Sequence, residues 1–409
     1  MYDINEIRKQ FPMLNNKKMQ NKPLVYLDNA STTFKPQSVI DAVSEYYTEH
    51  NSNSHRGDYD LAYNMDQTMI KAREAVAHFV NCDPNEVVFT AGATMALNMA
   101  AFSFAKEVLK EGDEILLEED GHASNILPWY EVAKQTGAVI KFVPLDEKGK
   151  ICTENVAKSL TNKTKIVALA GATNVFGYSI DVPEICKLVH SVGAYFIVDG
   201  AQSVPHTKTD FKNWDIDFLA FSAHKMCGPT GIGCLIGKYE LLKTMKPLLL
   251  GGGMNEMFYK DGSYKLLNPP SSLEAGTQNL AAVAGFIEAI KFVESIGIDN
   301  IHAHDVELHD YAINQLKKND KVIIYNEEAR SGNIVFNIKD VFAQDESTLL
   351  NYHGIAVRSG NHCAKMLVNY IGLPYTCRAS TYLYTSKEDI DALVEAINNG
   401  GDILDVYFN

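Results

Sequence analysis

AYFIVDGAQ (194–202) is a short apolar run, rich in aromatic and β-branched residues, that ends on an aspartate followed by small residues. Without polar alternation it reads as a strand buried on both faces, as in a sheet covered by helices. Working outward, the same unit recurs. EVVFT (86–90), DEILLEE (113–119), AVIKFVPLD (138–146) and KIVALAGAT (165–173) precede it; DFLAFSAHK (217–225) and IGCLIGK (232–238) follow. Helical segments alternate with them: one from about Thr94 to Lys110, one after Asn125, then TENVAKSLTNKT (153–164) and VPEICKLVHSVG (182–193). In the last, Ile185, Leu188, Val189 and Val192 fall at i, i+3, i+4 and i+7. The expected fold class is α/β, with a mostly parallel sheet of about seven strands and ligands outside the carboxyl ends of those strands.

The chain has 409 residues, 46% hydrophobic and 22% charged. This composition excludes disorder and fibrous repeats, and a chain of this size needs no disulfide or structural metal to hold a core. A net charge of −14 repels phosphate backbones and anionic lipid, so neither nucleic acid nor a membrane surface is expected as a partner. Seven cysteines, at 82, 152, 186, 227, 234, 363 and 377, include no C-x-x-C pair, which points to a reduced, cytoplasmic protein without a zinc site. MYDINEIRKQFPMLNN (1–16) lacks an apolar signal core, and no stretch approaches a membrane span. Residues 251–272, GGGMNEMFYKDGSYKLLNPPSS, break the rhythm as a loop or hairpin, and LAAVAGFIEAIKFVESIG (280–297) resumes it as a strong helix. The expected domains are a large unit, 22–296, and a smaller α+β unit made of 1–21 and 297–409.

The strand-end residues carry the chemistry. Asp199 closes AYFIVD, and Lys225 follows 26 positions later in FSAHKMCGPTGIG (221–233). Each alone reads as a surface charge or a cap. Together they match the needs of pyridoxal phosphate: a lysine that condenses with its aldehyde and an aspartate that keeps its ring nitrogen protonated. Ser222 and His224 flank Ala223 and can donate to the cofactor phosphate. In FTAGATMALN (89–98), Ala93 and Thr94 open a helix whose N-terminus is a second anion site. His122, after strand EILLEE, is placed to stack on the ring and move protons.

These residues, in this order, resemble the class V aminotransferases of the aspartate-aminotransferase-like fold (pyridoxal-phosphate fold type I), and among them the group II, SUF-type cysteine desulfurases. The matching segments run nearly end to end: VYLDNAST (25–32), NSNSHRGDY (51–59), FTAGAT (89–94), GHASNILPW (121–129), ATNVFGY (172–178), VDGAQSVPH (198–206), LEAGTQN (273–279), VRSGNHCA (357–364) and CRASTYLYTSKEDID (377–391). The resemblance implies that Cys363, in a short, polar and basic loop, is the nucleophile that takes sulfur from L-cysteine as a persulfide. It implies that Arg378 clamps the substrate carboxylate, with Arg358 beside it, and that Asn174 holds both substrate and cofactor. Gln202 would contact the phenolic oxygen, and Thr277 would reach the phosphate of the neighbouring subunit in a homodimer. Alanine is the expected product. A SUF-type sulfur-acceptor protein of iron–sulfur cluster assembly is the expected partner.

The sequence departs from that branch in places. It has Gly-His-Ala-Ser at 121–124 where Glu-His-His-Ala is usual, Met95 where glutamate is common, and Asn361 for a frequent histidine. Lys365-Met366 stands for Met-Pro, and 58–66 diverges. L-selenocysteine therefore stays open as a substrate. A selenocysteine lyase, a cysteine or cystine C–S lyase, and a non-catalytic scaffold stay open as alternatives.

Overall fold

The structure, a computed structural model, describes residues 2–54, 57–372 and 374–399. His55 and Arg56 of the NSNSHRGDY match, and residues 400–409 of the expected smaller unit, lie outside the described residues.

The seven apolar runs form one sheet. Its strands are β1 (Val87–Thr90), β2 (Glu114–Glu118), β3 (Val139–Val143), β4 (Thr164–Ala170), β5 (Tyr195–Asp199), β6 (Phe218–Ser222) and β7 (Gly233–Gly237), in the spatial order β1-β7-β6-β5-β4-β2-β3. From β6 across to β3 the neighbours run parallel. Only β7 is reversed against both its neighbours, because residues 223–232 are too few for the crossover helix that a parallel return requires. Burial on both faces is explicit along β4. Val167 and Leu169 belong to the core on one side of the sheet, Ile166 and Ala168 to the core on the other, and all four are fully buried. The fold class expected from the sequence, a seven-stranded mostly parallel α/β sheet, is the one observed.

Helices α1 (Gln37–Glu49), α2 (Asp60–Val80) and α3 (Ala93–Met99) lie around the amino-terminal half of the chain. The run beginning at α3 is not uniform. It widens into a π-helical stretch at Ala100–Ala105 and returns to α-helix at Lys106–Val108. Helix α4 (Leu127–Thr136) follows β2, α5 (Thr153–Ser159) and α6 (Val182–Ser191) flank β4, and α7 (Leu280–Ile296) packs on α1 and α2. The 251–272 stretch contains a two-stranded hairpin, Asn255–Phe258 with Tyr264–Leu266.

A second, four-stranded antiparallel sheet follows: β8 (Val322–Ile324), β9 (Asn333–Ile338), β10 (Arg358–Gly360) and β11 (Thr376–Ser380), in the order β8-β9-β11-β10. Helices α8 (Ile298–Leu316), α9 (Ala343–Tyr352) and α10 (Lys387–Asn399) accompany it. Val25–Tyr26 pairs in parallel with Ile355–Ala356, and Asp28 bridges to Ser380. That pairing delivers the loop at Ala30 and Ser31 to the edge of the large sheet. Among the described residues no helix is long and apolar enough to cross a membrane.

Candidate active site

A cavity of about 240 Å³ opens at the carboxyl ends of the large-sheet strands and is closed from above by the smaller sheet. Each strand end contributes. After β1 come Ala93 and Thr94; after β2, His122; after β4, Asn174; after β5, Asp199 and Gln202; after β6, Ser222, His224 and Lys225. From the smaller sheet, Arg358 on β10 and Arg378 on β11 face in as cross-strand partners.

Asp199 is 5% exposed and accepts the Ala201 N–H through Oδ1 at 3.0 Å. Burial pushes its carboxyl up from the usual range, while that N–H and the charge of Lys225 pull it back down. Lys225 lies on a 3₁₀ turn directly after β6. Loss of hydration lowers its ammonium to about 8; Asp199 opposes this, and Arg378 and Arg358 add to it. A lysine so poised is part neutral amine at neutral pH, as condensation with an aldehyde requires.

His122 is lowered to about 4, first by burial and then by Lys225, Arg358 and Arg378. Its Nδ1 accepts the Ser124 N–H at 3.1 Å, so the neutral ring carries its proton on Nε2. His224, also lowered to about 4 by burial and by Lys225, sits with Nδ1 3.2 Å from Thr32 Oγ1. The Ser222 hydroxyl accepts the Ala93 N–H at 2.7 Å, which leaves its own proton free for an anion. Gly92 precedes Ala93 with φ +145°, and a Cβ there would lie 3.1 Å from Ser222 Oγ. Gly92 offers the helix it opens no side-chain cap, so beyond the Ala93 N–H held by Ser222 the next first-turn N–H groups remain available to a phosphate. Thr94 Oγ1 lies 2.8 Å from Ser124 Oγ beside them.

Arg378 is 1% exposed, not a surface cation. Nη1 donates to the Asn174 carbonyl at 2.5 Å, and Nη2 reaches Ser31 Oγ at 3.1 Å and Asp28 Oδ1 at 3.3 Å; Nε has no partner. Burial lowers its guanidinium to about 10 against the pull of Asp28. The Arg358 Nη1 donates to Ser31 Oγ at 3.0 Å, and its Nη2 lies 3.7 Å from Cys363 Sγ.

Cys363 is half-buried and adopts φ +62°, directly after His362, which lines the cavity at φ +50°. Two consecutive left-handed residues need fastening, and four bonds supply it. Cys363 N–H donates to Asn361 Oδ1 at 3.1 Å, Ala364 N–H to the Asn361 carbonyl at 2.8 Å, Ala123 N–H to the Cys363 carbonyl at 2.9 Å, and Asn174 Nδ2 to the His362 carbonyl at 2.7 Å. The cysteine loop is thereby tied to the loop that carries His122.

Of the residues singled out from sequence, only Thr277 stands clear of this neighbourhood. It is exposed on the 273–279 loop and lines a separate cleft with Met95. Gln202 is present, its Nε2 donating to the Ala30 carbonyl at 2.8 Å. Sequence reasoning missed Glu118, Asp120, Thr173 and His362, all buried and lining the cavity. Glu118 ends a strand, a position that could have flagged it. In Glu118-Glu119-Asp120, however, it passes for part of a solvated charge run.

A model of the aminotransferase class-V family matches residues 25–393. The chain belongs to the aminotransferase class-V family. A probable cysteine desulfurase of Halalkalibacterium halodurans is 44% identical to this class V protein over 397 residues, 97% of each chain. The solved cysteine desulfurase CsdA of Escherichia coli, in an S-sulfonic acid form, is 36% identical, with a TM-score of 0.91 over 98% of each chain. The cystine C–S lyase C-DES is 22% identical, with a TM-score of 0.82 over 96% of this chain and 100% of its own, and shares the fold. Pyridoxal phosphate is the cofactor of this family member, and the residues fit it. A buried Asp199, a Lys225 that is part neutral and a glycine-led helix start are what its nitrogen, aldehyde and phosphate would require.

Proposed function

We propose that this class V enzyme is a cysteine desulfurase that converts L-cysteine to L-alanine and carries the released sulfur on Cys363 as a persulfide. One observation carries the reading: a thiol held in left-handed backbone 3.7 Å from a guanidinium nitrogen of Arg358, which itself lines the cavity with Lys225 and Arg378. A buried cysteine that only filled space would need neither the strained backbone nor the cation.

Lys225, Asp199, His122, Gln202 and Asn174 hold the cofactor, with Ser222, His224, Thr94 and Ala93 on its phosphate. Bound pyridoxal phosphate supplies an electron-withdrawing ring that weakens the C–S bond of the amino acid it carries. Arg378 orients the substrate carboxylate, and Arg358 borders both that carboxylate and the thiol. Lys225, part neutral, takes the proton from the substrate Cα. Cys363 gives up its thiol proton and its sulfur bonds to the substrate sulfur as the C–S bond breaks; the electron pair goes to the three-carbon fragment, which takes up that proton and the one held by Lys225 to become alanine. His122, with its proton on Nε2, serves these transfers.

The same reading includes a homodimer in which Thr277 reaches the neighbouring subunit's phosphate. The exposed Leu249, Leu250 and Phe258 in the flanking segment support it as an apolar face. A SUF-type acceptor protein receives the sulfur for iron–sulfur cluster assembly. The seven unpaired cysteines fit a reducing cytoplasm. The two units are 22–296 and 1–21 with 297–409, the segment at 25–28 riding on the smaller sheet.

Cys363→Ala tests the reading. The variant should still bind cofactor and lose alanine and sulfide formation from L-cysteine. Pyruvate and ammonia released at the native rate would mark a C–S lyase instead.

A further inference from the structure

Glu118 Oε1, Asp120 Oδ1 and Thr173 Oγ1 line one side of the cavity, buried and without a hydrogen-bond partner. Glu118 is fully buried at the end of β2, and Asp120 is 1% exposed. Unpartnered carboxyl oxygens in such a place are costly and call for a role. Gly121 makes the room: a Cβ there would lie 2.8 Å from Glu118 Cγ and 3.1 Å from its Oε1. The same corner meets Asp199 through one backbone link. Ala170 donates its N–H to Glu118 Oε2 at 2.7 Å and is the sheet partner of Asp199 on β5.

Three carboxyls so close in a poorly hydrated pocket do not all ionise. Asp199 has the Ala201 N–H and the Lys225 cation, so the negative charge settles there. Glu118 faces Asp120, Asp199, the Asn125 amide and the Ala170 N–H; Asp120 faces Thr173, Glu119 and its own backbone N–H. Burial accordingly holds Glu118 well above the carboxylate range and Asp120 at about 7.

We propose that Glu118 and Asp120 form a buried acidic pair whose charge acts on Asp199 and so sets how firmly the protein holds a protonated pyridine nitrogen. They are positioning residues, working through Asp199. As the pair loses its proton with rising pH, the added negative charge beside Asp199 keeps the ring nitrogen protonated to higher pH. Amide substitution removes that charge.

The inference rests on the pyridoxal-phosphate assignment alone, and cysteine turnover is scored separately. In folded, cofactor-loaded E118Q and D120N, the pH titration of the bound cofactor's absorbance should move down by roughly one unit. A titration unchanged from the native protein in both variants overturns the proposal. A second reading does not depend on variants folding. With aspartate carboxyls carbon-13 labelled, the loaded native protein should show a protonated-carboxyl infrared band at mildly acid pH that vanishes at alkaline pH. Absence of that band at mildly acid pH also overturns the proposal.

Discussion

Arg378 shows what burial does to a single side chain. Its guanidinium is sealed from water, bonded to the Asn174 carbonyl, Ser31 and Asp28, and keeps Nε free. Shortening it to lysine leaves those acceptors without a matched donor and removes the fork a carboxylate requires. Arg378→Lys should cost about 2 kcal/mol or more, roughly thirtyfold in KM for L-cysteine, read from steady-state kinetics. An unchanged KM would place the substrate carboxylate elsewhere. Lys225 gives a pH signature. Its ammonium is lowered to about 8, so the reactive neutral amine grows as pH rises through that value. Cofactor capture by the cofactor-free protein, followed by absorbance, should accelerate between about pH 7 and 9 and level off above. Asp199, Lys225 and Cys363 were legible as letters because their chemistry demands those side chains. Asn361 was legible only as a departure. Its amide caps the Cys363 N–H, a bond no spacing rule announces.

Elements show the same division. The seven strands were readable because each is an apolar run bounded by turn residues. The reversal of β7 follows from a connection that is too short to cross over. The π-helical stretch after α3 was not readable, since small and aromatic residues at Ala100–Ala105 fit either helix and packing chooses. The cysteine loop was readable in composition and not in shape: His362 and Cys363 both take positive φ, where glycine would be the ordinary choice. Asn361→Ala frees the Cys363 N–H and loosens that turn. The variant should lose kcat several-fold with KM little changed, because the loop presents the thiol and does not hold the carboxylate. A selective rise in KM would contradict this account.

At the scale of the molecule, three histidines at the site, His362 buried and His122 and His224 half-buried, are held neutral. His122 and His224 are lowered to about 4 and His362 to about 3, each by burial first. A histidine lowered in the folded state adds stability above its unfolded value, and that stability is lost as pH falls. In nitrogen-15 spectra of histidine-labelled protein, these three rings should therefore stay neutral between about pH 7 and 5 while exposed histidines titrate. Protonation of all three within that window would contradict neutral burial. The proposed homodimer rests on Thr277, which is exposed on the 273–279 loop and apart from the cavity. A charge placed on the exposed apolar segment, Leu249→Glu, should shift sedimentation from dimer to monomer and weaken cofactor retention. The fold itself does not decide the reaction, since a cystine C–S lyase shares it. The decision falls on Cys363. Incubating the cofactor-loaded protein with L-cysteine in the absence of reductant, and weighing the Cys363 peptide, tests it most directly. The account predicts one added sulfur on Cys363 with one equivalent of alanine. An unmodified Cys363 accompanied by pyruvate and ammonia would contradict it.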